Sequence, residues 1–275
     1  MDIFINEQPV TITLESEKTL GEFLSGIEAW LAGSENRISG LWINGNAITA
    51  SALTEAFEQD LESIQRLDIT LSTEAQLALE ALLNSQTSLS MYENGSFEDR
   101  RSIKDAWEES PAARFLSEHI PDMYASLHKT FSGELLAAEM GSLLDERIRE
   151  FIDPKIEFHY ANTLISGIVA RLEDLPLDMQ TGKDRRAAET INLFSHTAEK
   201  VCRLLNLLRL QGLALETLSI DTLPFYDFMD AFSATLKELL AAYTAQDVVL
   251  VGDLAEYELA PRLLKLYNKV KEELT

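Results

Sequence analysis

Asp253, Glu256 and Tyr257 stand three and four residues apart, so on a helix they share one face. Two carboxylates and a phenol on one face suit general acid–base chemistry if a cleft raises a carboxyl pKa. They equally suit a contact surface for a partner helix, with Pro261 interrupting the helix just beyond them. Asp145-Glu146 and Glu173-Asp174 are further acid pairs, but 46 acidic residues make pairs frequent by chance. Other chemistries fail on spacing. His119, His128, His159 and His196 form no Glu-x-x-His or His-Glu-x-x-His pattern, and Glu199 follows His196 in the reverse order, once. Thr181-Gly182-Lys183-Asp184 would need Gly in place of Leu177 and Ser or Thr in place of Asp184 to be a phosphate loop. Lys183, Arg185 and Arg186 fit a solvated first helical turn, or a site facing a carboxylate. No Gly-x-Ser-x-Gly elbow occurs. The expectation is no catalytic residue, no metal and no cofactor.

The 275 residues carry 23 basic and 46 acidic side chains, a net charge of -23, and 46% are hydrophobic. That apolar fraction suits a folded chain. The charge argues against nucleic acid, which needs a positive face, and against docking on anionic lipid. The opening MDIFINEQPV has no basic start and no long apolar run, so no signal peptide is expected. No run approaches 18 apolar residues, so no membrane insertion is expected. Cys202, beside Val201, Leu204 and Leu205, reads as a small core residue in a reducing cytoplasm.

Residues 1–72 mix two periods. Ile3 and Ile5 alternate with polar neighbours, as do Val10, Ile12 and Leu14, with a short turn ending at Pro9 between them. Thr19 and Glu22 form a capping box before Leu20, Phe23, Leu24, Ile27, Trp30 and Leu31 at helical spacing. A strand over Ile38–Ile43 meets the hairpin signal Asn44-Gly45. A short helix over 52–61 and a strand through Leu67, Ile69 and Leu71 follow. This order, carried by MDIFIN, LWINGN and LDITLS, resembles the β-grasp fold of the ubiquitin-like superfamily. Ubiquitin-like modifiers and small sulfur carriers end in Gly-Gly. Here Leu71-Ser72-Thr73 runs on into a helix, which implies a fixed interaction module rather than a conjugated one.

Residues 73–275 are helical in pattern. A helix begins near 73–83, and the Ser-, Asn- and Gly-rich stretch 84–99 reads as an exposed loop. Ser110-Pro111 starts a helix that Pro121 should kink or split. Stripes through Leu136–Ile148 and Leu164–Leu175 should stop at Pro154 and Pro176. Ile191, Phe194, Val201, Leu205 and Leu208 mark a helix over 183–211. Phe225, Met229, Phe232, Leu236, Leu239 and Tyr243 mark the next. The last helix carries two apolar faces, so it is central or packs on a second molecule. Stripes of this width must bury against one another as a bundle. From about residue 160, the long helix with Ala187, Ile191 and Val201, the Phe225-Tyr226-Asp227-Phe228-Met229 helix start and the turn at Gln246-Asp247 resemble the bacterial flagellin-export chaperone family. The resemblance implies a helix-binding bundle that holds an export or flagellar-type substrate.

The sequence therefore predicts an α+β protein, with a β-grasp-like domain over 1–72 and a helical bundle over 73–275. The expected role is a non-enzymatic, cytoplasmic bacterial adaptor or chaperone-like protein. Its bundle would bind an amphipathic helix of a protein partner, or a second copy as a homo-oligomer. Phe225, Phe228, Tyr257 and Tyr267 are the candidate anchors, with Asp253 and Glu256 beside them. Two alternatives stand: an enzyme with a carboxylate-lined site between the domains, and a structural subunit of a cytoplasmic assembly.

Overall fold

A computed structural model describes residues 1–13, 16–49 and 52–274. Leu14, which the alternation assigns to the second strand, lies outside them. The chain is α+β, a five-stranded mixed sheet within residues 2–73 followed by helices. Two compact units divide it, Met1–Ile148 and Arg149–Thr275.

In the first unit, β1 (Asp2–Ile5) and β2 (Gln8–Val10) form a hairpin. Its two turn residues, Asn6 and Glu7, have φ of 49° and 65°, as a tight two-residue turn requires. The capping box opens α1 (Leu20–Leu31): Glu22 N–H donates to Thr19 Oγ1, and Thr19 N–H to the Glu22 carboxylate, each at 3.3 Å. Next come β3 (Asn36–Ile43), the Asn44-Gly45 turn, β4 (Asn46–Ala47), α2 (Leu53–Phe57) and β5 (Arg66–Thr73). β5 enters the middle of the sheet, parallel to β1 and antiparallel to β3, giving the order β2-β1-β5-β3-β4. Ile3, Leu41, Ile43, Leu67 and Ile69 face Leu20, Phe23, Leu24, Ile27 and Leu31 across the core. Trp30 does not join them: it is 69% exposed, because Leu31 takes the inward position and its neighbour falls at the rim.

The stretch 84–99 is not a loop. α3 (Glu74–Asn94) runs through most of it, and only Gly95 and Ser96 separate it from α4 (Phe97–Glu108). The buried positions of α3 are Ala78, Ala81, Leu82, Ser85 and Leu89, a helical stripe with a serine in it. A polar, small-residue helix therefore reads as loop when only composition is weighed. α5 (Pro111–His119) and α6 (Pro121–Phe131) are split at Pro121, and α7 (Ala137–Ile152) follows.

The second unit holds α8 (Pro154–Gln180), α9 (Asp184–Leu210), the hairpin β6 (Ser219–Ile220) and β7 (Leu223–Pro224), and α10 (Phe225–Thr244). α11 (Val248–Asp253), a π-helical stretch (Leu254–Leu259) and α12 (Ala260–Glu273) complete it. Pro176 does not stop α8 but lies inside it, and Gly252 makes room: a Cβ there would sit 3.0 Å from the Pro176 ring. The π-helical stretch ends just before Pro261, so the wider turn falls where the proline withholds its N–H. One core joins Phe158, Ile165 and Leu172 of α8, Phe194 and Leu205 of α9, Phe232 and Leu239 of α10, and Leu263 and Tyr267 of α12. Each fully buried side chain of this size contributes about 1.5–3 kcal/mol. Glu150, Glu157 and Lys200 are buried beside it, the Lys200 ammonium lying 3.5 Å from each carboxylate. Arg203 reaches Glu150 at 3.2 Å and Arg149 reaches Glu157 at 3.2 Å.

Candidate partner-binding surface

α8 begins on Asp153, whose carboxylate accepts from Ile156 N–H at 3.0 Å, with Pro154 as the first helical residue. From that start, one face of the helix (Phe158, Ala161, Ile165, Ile168, Leu172, Leu175) is shut into the core. A second apolar row, Ile156, Tyr160 and Leu164 at i, i+4 and i+8, faces solvent at 50%, 68% and 45% exposure. Ile152, at the end of α7, is exposed as well. An apolar row at helical spacing left in water is informative, whereas single exposed apolar residues are not.

Beside this row lies an open groove of about 350 Å³, walled by Ile156, Tyr160 and Leu274, with Lys155, His159 and Lys271 among its lining. Its base is rigid. The Phe158 ring stacks on Tyr267 at 5.2 Å, and the Tyr267 hydroxyl donates to the His159 carbonyl at 3.4 Å. The Lys271 ammonium lies 5.8 Å from the Tyr267 ring centre. Burial pushes the Tyr267 phenol above its ordinary ionisation range, so it stays a neutral donor. The groove offers apolar contact edged by positive charge, in a chain whose net charge is -23.

The anchors expected from sequence fall differently. Phe225, Phe228 and Tyr267 are buried in the core and present no side chain to a partner. They occupy the inward positions of their helices, so their apolar bulk serves packing. Tyr257 is 65% exposed, on the π-helical stretch, with Asp253 exposed and Glu256 partly buried. Its hydroxyl donates to the Glu256 carboxylate, and that bond and charge push its ionisation up. The two apolar faces of the last helix have a simple origin: Leu254, Leu259, Leu263, Leu266 and Val270 are central to the core. Sequence reasoning missed Ile156 and Tyr160 and counted Leu164, which is 45% exposed, in the stripe it expected to bury, although the three carry the same i, i+4 signal as the stripes it found.

Other candidates are accounted for locally. Arg185 pairs with Glu189, Arg186 with Asp174 and Asp178, and Lys183 with Asp178, at 2.9–3.2 Å, so the basic cluster is met by neighbouring carboxylates. His119 lies 3.2 Å from Glu74 and His128 3.2 Å from Glu108. Cys202 is exposed rather than a core residue, one position past the inward Val201. Its sulfur still sits partly among side chains, and that burial first, then the Glu199 carboxylate, pushes its thiol up. Among the described residues no three His, Cys, Asp or Glu side chains are grouped to hold a metal ion. Nor is any helix among them long and apolar enough to cross a membrane.

Residues 1–73 match the family model described as TP0873 N-terminal domain, and residues 157–269 match one described as Domain of unknown function (DUF8042). The chain is 24% identical over 261 residues to a Treponema pallidum (strain Nichols) protein described as an uncharacterized protein. That likeness covers 95% of this chain and 92% of the Treponema protein, so it spans both units. No solved structure matches the chain.

Proposed function

We propose that this is a non-enzymatic, cytoplasmic interaction protein, an adaptor or chaperone, whose helical unit seats an amphipathic helix of a protein partner. The observation that carries the reading is the row Ile156, Tyr160 and Leu164, solvent-facing beside an apolar groove over the stacked Phe158–Tyr267 pair. A partner helix laying its own i, i+3, i+4 face along that row would remove both surfaces from water. The long helices α8 and α9, each of 27 residues, and the 20 residues of α10 support the likeness to flagellin-export chaperones. An export or flagellar-type substrate would then be the partner. In the first unit, the parallel β1–β5 centre with α1 across one face supports the β-grasp, ubiquitin-like reading. Thr73 caps α3 directly, which supports a fixed module rather than one conjugated through a free tail.

The test is a photo-crosslinking residue placed at Tyr160, with the same residue at Val249, which is 69% exposed, as the control. In the native cytoplasm the Tyr160 position should give a discrete adduct to one helical protein segment, and Val249 should not. Equal adducts at both positions, or none, would remove the reading. An adduct of the chain to itself would replace the partner by a second copy.

A further inference from the structure

We propose that the helix seated on the α8 row is acidic and lies with its backbone close over Gly167. The proposal rests on the row being a helix seat, and adds the partner's charge, its length and its point of closest approach.

The charge comes from the face itself. Between Pro154 and Glu173 the only acid of α8 is Glu157, in a chain with 46 acidic residues. Glu157 is turned inward, buried and held by Lys200 at 3.5 Å and Arg149 at 3.2 Å. The exposed surface of α8 over that length therefore carries Lys155 and His159 and no carboxylate, with Arg171 half-buried at its far end. Lys155 is paired with no carboxylate among the described residues. α9, which meets α8 there through Lys200, has no acid from Lys200 to Leu210 either. An acidic helix meets repulsion over most of this protein and none on this face, so charge both favours the row and disfavours other places. Anionic lipid, the other surface that an apolar row with a lysine could meet, is opposed by the net charge of -23.

The same pattern sets the length of the contact. Just past Arg171, Glu173 and Asp174 are both exposed, and an acidic partner must stop or turn away there. From Ile156 to Arg171 is about 22 Å along the axis, or roughly four turns of a partner helix.

Gly167 is the second observation. It stands in the middle of α8, exposed, and continues the row three residues past Leu164. Glycine inside a helix destabilises it relative to alanine. Its backbone is not left-handed, and no described atom lies within 4 Å of where a Cβ would stand, so no turn and no neighbouring side chain accounts for it. A bare Cα in line with an apolar row lets a second backbone come close, as small residues do where helices pack tightly.

The test uses the full chain labelled with 15N and three synthetic 18-residue helices that share one leucine face, with Glu, Gln or Lys on the other. The Leu/Glu helix should shift the Gly167 amide saturably and bind there at least about tenfold tighter than the Leu/Gln helix, while the Leu/Lys helix should leave Gly167 unmoved. Lys155→Glu with His159→Glu should weaken the Leu/Glu helix about tenfold without lowering the melting temperature, since both side chains are exposed and an acid in the first turn of α8 is favourable. Gly167→Ala should raise the melting temperature and still weaken binding, a combination that a merely structural glycine does not give. Leu/Gln or Leu/Lys binding at Gly167 as tight as Leu/Glu would overturn the acidic partner and leave the row a seat for a helix. Silence at Gly167 with all three helices would overturn both the proposal and the seat it rests on. Unchanged Leu/Glu affinity in the Lys155 and His159 double variant, or in Gly167→Ala, would overturn the proposal alone. So would phosphatidylglycerol vesicles that broaden the Gly167 signal where the Leu/Glu helix does not shift it, which would assign the row to lipid.

Discussion

The indole N–H of Trp107 donates to the Ser85 hydroxyl across 3.0 Å, and both side chains are shut off from solvent. The bond ties α4 to α3 where Trp107 also stacks on Tyr124 at 5.5 Å and meets Phe131 at 4.8 Å. A buried donor with one protein partner costs its full desolvation when that partner is removed. Ser85→Ala should therefore destabilise the protein by about 1–3 kcal/mol in urea titration. Combining it with Trp107→Phe should cost less than the sum of the two singles. A Ser85→Ala change below about 0.5 kcal/mol would mean the bond is not made in solution.

In the second unit the aromatic core gives a graded series. Phe232 is buried edge-on to Phe194, with ring centres 6.2 Å apart, and Phe232→Ala should cost about 3–5 kcal/mol. Tyr267→Phe keeps the ring on Phe158 and loses only a long hydrogen bond, so it should cost under about 1 kcal/mol. Tyr267→Ala should approach the Phe232→Ala value. Thermal or chemical denaturation of the three variants checks the order, and equal losses for Tyr267→Phe and Tyr267→Ala would contradict it.

Acid should loosen two helix starts in the first unit. Backbone hydrogen bonds from Lys18 and Thr19 hold the Glu22 carboxyl below its ordinary 4.5, and the Ser96 side chain and backbone hold Asp99 below 3.8. A carboxyl lowered in the fold adds stability that is complete above its unfolded pKa and is lost as pH falls through the folded one. Amide exchange at the first turns of α1 and α4 should therefore quicken from about pH 5 downward, beyond its intrinsic pH dependence. Glu22→Gln with Asp99→Asn should flatten that response. An unchanged acid profile in the double variant would count against the two caps.

Much of the frame was legible because it follows periodicity and turn chemistry. Thr19 with Glu22, Asn44-Gly45 and the alternation of Leu67, Ile69 and Leu71 each name a cap, a turn or a strand by a local rule. Where composition was allowed to outvote period, the reading failed, as at Ser85 and Leu89 inside α3. The inward turn of Phe225, Phe228 and Tyr267 was hidden for a different reason. Phe225, Phe228 and Tyr257 are alike in the chain, and only the packing of several helices decides which turns inward. A row such as Ile156, Tyr160 and Leu164 has the same ambiguity, because the spacing that marks a core face also marks a surface left open.

The charged group of Glu150, Glu157, Lys200 and Arg203 bears on which arrangements of the second unit are ruled out. Buried ion pairs add little net stability, since dehydration offsets their attraction. Slide α9 by one turn, however, and Glu150 loses both Lys200 and Arg203 while Glu157 is left with Arg149 alone of the cations paired with it here. The native alignment gains depth only slightly from this device, while every slipped neighbour is pushed upward in energy, so α7's end, α8 and α9 have one setting at which they can close.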